Sequence, residues 1–91
     1  MKRLEIIANR AVEDDLFEAF RKRDVVQQYT KIPIAYGIGN SDPKMGDHIW
    51  PEENIVLVVY CNEMEAEKIR EAVMEVKSFF TQEGIKLFEL G

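Results

Sequence analysis

The sequence predicts an α+β fold in which a four-stranded antiparallel sheet carries two helices on one face. Three observations lead there. Four stretches show the period-two alternation or unbroken apolarity of β-strands, two show the four-and-three spacing of amphipathic helices, and their order along the chain is βαββαβ.

The first strand is read at residues 3–9, where Leu4, Ile6 and Ala8 share one face and Ile7 lies on the other. Val12, Leu16 and Phe20, with Ala19 beside them, form a stripe that predicts a helix from about residue 12 to 23. Glu13, Asp14 and Asp15 in its first turn and Arg21, Lys22 and Arg23 in its last complement the helix dipole at each end. Residues 28–39 alternate again, with Ile32, Ile34, Tyr36 and Ile38 expected on one side. Pro33 has no amide hydrogen for a ladder, so this second strand belongs at a sheet edge or carries a bulge there. It runs into Gly37-Ile38-Gly39-Asn40-Ser41-Asp42-Pro43, the start of a turn-rich loop that extends to about Glu53.

The third strand is read at 54–61 and is apolar at every position from Ile55 to Tyr60, so both its faces need cover. Asn62, with Glu65 three residues on, offers a variant of the capping box. Ile69, Val73, Val76 and Phe80 then carry a second helix over 63–80, with Met64 and Met74 expected as core filler. Thr81-Gln82-Glu83-Gly84 breaks it, and 85–90 closes the chain as a fourth strand. Within one domain spanning 1–91, this order most economically gives a ferredoxin-like sandwich of strand order 4-1-3-2, with the second strand at an edge.

Composition narrows the function. The 91 residues carry 12 Lys and Arg against 17 Asp and Glu, a formal charge of -5, so no basic field exists to neutralise a nucleic-acid backbone. The apolar run from Ile55 to Cys61 is far shorter than the roughly 18 residues of a membrane span. Cys61 is the single thiol, which precludes an internal disulfide and fits a reducing cytoplasm. His48, Cys61, Ser41 and Ser78 assemble no nucleophile, base and orienter, so no enzyme activity is expected. The loop gathers Asp42, Asp47, His48, Glu52 and Glu53, a donor mix able to hold a divalent ion at a subunit boundary, although its spacing matches no closed site and a solvated turn would look the same. The glutamates of the second helix interleave with Lys68, Arg70 and Lys77 as a solvated, weakly paired face.

Gly37 and Gly39 permit positive φ or the close approach of a ligand, and Trp50-Pro51 presents a loop tryptophan suited to an interface or a cleft. The excess apolarity of the third strand, together with Ile7, predicts that another copy of the chain covers the helix-free sheet face.

The element order, the Met1-Lys2-Arg3-Leu4-Glu5-Ile6-Ile7 start, Tyr29-Thr30 entering the second strand, Gly37-x-Gly39 where that strand opens, and an apolar third strand before an Asn-Glu-initiated helix resemble the PII-like signalling superfamily. That superfamily includes the nitrogen-regulatory PII proteins and their relative CutA. The resemblance implies a homotrimer whose sheets line the centre and whose clefts between subunits bind a small effector, a nucleotide in PII proteins. By likeness Gly37, Ile38, Gly39 and Asn40 would form the loop base, and Gly84 with Lys86 the remnant of the phosphate-binding segment. The loop over 40–53 would carry the signal, presenting Lys44, His48 and Trp50 to a partner protein. The chain departs from the family in its short loop without the modified tyrosine, its missing C-terminal extension, and a Thr81-to-Lys86 segment that has Glu83 in place of a glycine cluster. A nucleotide, a smaller or less phosphorylated ligand, a divalent metal as in a CutA-like protein, or no ligand at all would each fit these residues.

Overall fold

A computed structural model describes residues 1–37 and 52–91. Strand β1 spans Lys2–Asn9 and passes through a 3-10 turn, Arg10–Val12, into helix α1, Glu13–Lys22. Strands β2 (Thr30–Gly37) and β3 (Glu52–Cys61) follow, then helix α2 (Glu63–Phe79) and strand β4 (Ile85–Leu90). The sheet order is β2-β3-β1-β4 and every pairing is antiparallel, the ferredoxin-like arrangement.

The register separates the two faces. Leu4 lies opposite Val59, Ile6 opposite Leu57 and Ala8 opposite Ile55, and all six are at most 1% exposed. They meet Leu16, Ala19 and Phe20 of α1 and Ala66, Ile69, Ala72, Val73 and Val76 of α2 in one core, which Ile85 closes from β4. Burial of these side chains is what pins both helices to this face. Helix α2 starts as the sequence predicts, because the Asn62 side chain accepts the Glu65 amide at 2.8 Å. It ends one residue early. Phe80 is the C-cap and is 36% exposed, so it is not part of the buried stripe. Met64 and Met74 are 70% and 63% exposed, not core filler, because they fall off the stripe traced by Ala66, Ile69, Val73 and Val76.

Strand β2 is at an edge and also bulges. Its pairing with β3 shifts between Ile32 and Ala35, so Pro33 and Ile34 stand against Ile55 alone. The extra residue corrects the expected face of this strand. Ile32 lies opposite Val56 and Ala35 opposite Asn54 on the helix-free side, whereas Tyr36, opposite Glu53, is switched to the other. The helix-free face thus collects Ile7, Ile32, Val56, Val58, Tyr60, Phe88 and Leu90. Tyr60, Phe88 and Leu90 are about half exposed there, and the charges near them are largely paired internally, Arg3 with Glu5 at 2.8 Å and over the Tyr60 ring.

Candidate functional site

Antiparallel pairing brings the C-termini of β1 and β2 and the N-termini of β3 and β4 to one end of the sheet. A row of backbone runs across that end: Ala35 pairs with Asn54, Asn54 with Asn9, and the Asn9 amide donates to the Gly84 carbonyl at 3.0 Å. Gly37 sits two residues beyond Ala35 and pairs with Glu52, so it is the last described residue before the loop. The two segments expected to bind a ligand therefore share one end of the molecule. They occupy opposite edges, three strand spacings or about 14 Å apart, with β3 and β1 between them.

The glycines at this end have ordinary backbones. Neither Gly37 nor Gly84 is in the left-handed region, and a Cβ on Gly37 would meet Nδ2 of the Asn54 side chain at 3.6 Å, an unstrained contact. Backbone freedom is not what Gly37 supplies to its strand. Lys86 is exposed, opposite Ile7 on the helix-free side of β4. Ile38, Gly39, Asn40, Lys44, His48 and Trp50 lie outside the described residues, as do Asp42 and Asp47. Among the described residues, no group of three or more His, Cys, Asp and Glu could hold a metal ion.

The register adds residues that local patterns did not single out. Asn9 caps the 3-10 turn, its side chain accepting the Ala11 amide at 2.9 Å, and thereby directs Arg10 back toward β3. Arg10 reaches Glu53 at 3.4 Å, tying the end of β1 to the strand that leaves the loop. Both side chains are about half exposed, so the pair is weak and open to exchange with an incoming anion. The signal that finds these residues is the antiparallel register, which sets Asn9 against Asn54 and beside Gly84.

Cys61 lies at the far end of β3. Burial raises its thiol pKa above the ordinary value, and the nearby Glu65 and Glu63 carboxylates add to the effect. The reactive thiolate is thus disfavoured. No helix among the described residues is long and apolar enough to cross a membrane.

No protein-family model matches the chain, and no curated protein matches it. Solved structures do. CPII from Thiomonas intermedia K12, in a structure bound to ADP and bicarbonate, aligns at a TM-score of 0.71 and 21% identity, over 98% of this chain and 82% of that one. The same protein, a nitrogen regulatory PII-like protein, bound to ADP, AMP and bicarbonate, aligns at 0.68 and 18% identity over 98% and 82%. A protein described as a PII-like signalling protein, from Thermus thermophilus, aligns at 0.65 and 26% identity over 98% and 83%. The chain folds as these PII-like proteins do.

Proposed function

We propose that this chain is a non-enzymatic PII-like regulatory protein of the cytoplasm, a homotrimer that binds a small effector between subunits and signals through residues 40–53. One observation carries the reading: the Gly37 end of β2 and the Gly84-to-Lys86 start of β4 share one end of the sheet but lie on opposite edges. An edge-to-edge neighbour would set one chain's β2 end beside the next chain's β4 start and complete a cleft that a single chain leaves open. The half-exposed apolar residues of the helix-free face supply the drive for such association.

The effector class follows from the charges at that end. Lys86 is exposed, Arg10 is shared with Glu53, and Glu83 stands next to Gly84. This near balance suits a nucleotide with one or two phosphates better than a triphosphate. Both CPII structures contain ADP, one of them with AMP as well. Signalling would then be a population shift. A ligand held by the backbone of Gly37 to Asn40 favours one conformer of the loop and exposes or hides Lys44, His48 and Trp50 to a partner protein.

Titration with ADP and AMP, followed calorimetrically, tests this reading. Wild type should bind, and Gly39→Val should abolish the heat while leaving the oligomer intact. An unchanged affinity in Gly39→Val would remove the loop base from the site.

A further inference from the structure

The helix layer carries a second feature, on the side of the molecule away from the apolar sheet face. A cleft of about 150 Å³ opens between α1 and α2. Ala19, Val76, Phe79 and Phe80 line it with apolar side chains, and Asp15 and Glu18 line it as well. Lys22 and Glu75, paired at 2.9 Å, also line it. Phe79 is 76% exposed although it ends a helix whose other face is fully packed. An aromatic ring left in water beside a cleft is an unused anchor.

Two of the carboxylates lining this cleft are unpaired among the described residues, as Asp14 and Glu67 elsewhere on the helices also are. Glu13 is paired with Lys31, Glu63 with Arg70 and Lys2, and Glu71 and Glu75 with Arg23. Asp15 and Glu18 have no cation within ion-pair reach among the described residues, in a chain already carrying a net charge of -5. Exposed apolar surface flanked by uncompensated carboxylates is complementary to a segment with an apolar stripe and basic flanks.

We propose that the cleft between α1 and α2 is a docking site for a basic amphipathic helix of a partner protein. A large apolar side chain of that helix enters against Phe79 and Val76, and its lysines or arginines sit over Asp15 and Glu18. The cleft borders the Gly84 segment, since the Phe80 carbonyl accepts the Glu83 amide at 3.1 Å, and it stays open when copies associate through the opposite, helix-free face.

The test uses the full chain and a short fluorescent peptide built of leucine and lysine at amphipathic helical spacing, read by anisotropy. Saturable binding is expected, weakened about tenfold or more by Phe79→Ser and by the double variant Asp15→Lys, Glu18→Lys. Glu67→Lys, which reverses an exposed acid of α2 outside the cleft and makes half the charge change of the double variant, should leave the affinity unchanged. All four positions are at the surface, and an unaltered melting temperature in each variant verifies that the fold is kept. Absence of saturable binding, an unchanged affinity in Phe79→Ser, or equal losses in Glu67→Lys would overturn the proposal. So would equally tight binding of a control peptide with serine in place of leucine, which would reduce the effect to unspecific charge attraction.

Discussion

Val26 has a φ of 59°, a conformation that β-branched side chains rarely adopt, and it is nevertheless 5% exposed in the core. Its amide donates to the Glu65 carboxylate at 3.3 Å, so the first turn of α2 holds the strained connection between α1 and β2. Replacing Glu65 by Ala leaves that part-buried amide without its acceptor. We expect a loss of about 1–2 kcal/mol in chemical denaturation, against a negligible change for the exposed Glu67→Ala. The local pattern was only half informative here. Asn62 does cap α2, as the Asn-x-x-Glu spacing predicts, but the Glu65 carboxylate turns to a residue 39 positions away, a contact that no local spacing encodes. Gly37 teaches the same lesson for the candidate site, since its sequence context invites a special backbone and its actual backbone is plain strand.

Elements were the most legible scale, because each is specified by its own periodicity. The stripe of Leu16, Ala19 and Phe20 and the alternation of Leu4, Ile6 and Ala8 appear in the structure as buried faces. Pro33 announced an edge or a bulge and β2 has both, yet the switch of Tyr36 to the opposite face follows only once the extra residue is located. Ion pairs then join the elements. Arg70 of α2 bonds Glu89 of β4 at 2.6 and 2.7 Å and Glu63 at 2.8 Å, and Lys2 of β1 reaches Glu63 at 3.2 Å. The Arg70 hydrogen bond lowers the Glu89 carboxyl below its ordinary 4.5, and Arg70 followed by Lys2 does the same for Glu63. Arg23 and then Lys22 lower Glu75. A carboxyl whose pKa is lower folded than unfolded contributes stability above about 4.5 and loses it as pH falls through the folded value. The melting temperature should therefore decline below about pH 4.5, modestly because these groups are exposed. Arg70→Ala should make that decline shallower, and an equally steep decline in the variant would show that this cluster does not set it.

For the whole molecule, the division of its surface decides the reading. One side of the sheet holds the core and both helices, while the other presents Ile32, Tyr60, Phe88 and Leu90 half exposed between partly buried Ile7, Val56 and Val58. The unbroken apolarity of Ile55 to Tyr60 had already signalled this second apolar face, since a strand solvated on one side has no reason to be apolar on both. The site was less legible, because its two halves are 47 residues apart in sequence, Gly37 against Gly84, and are related only through the sheet order. Most of its expected residues, from Ile38 to Trp50, lie outside the described residues.

Native mass spectrometry of the protein with and without added ADP would reveal a trimer that holds its effector between subunits. An assembly of three 10.6 kDa chains is expected, gaining up to three ADP masses, one for each cleft between subunits. A monomer at micromolar concentration, or a trimer that retains no nucleotide, would contradict it, the first at the apolar sheet face and the second at the cleft.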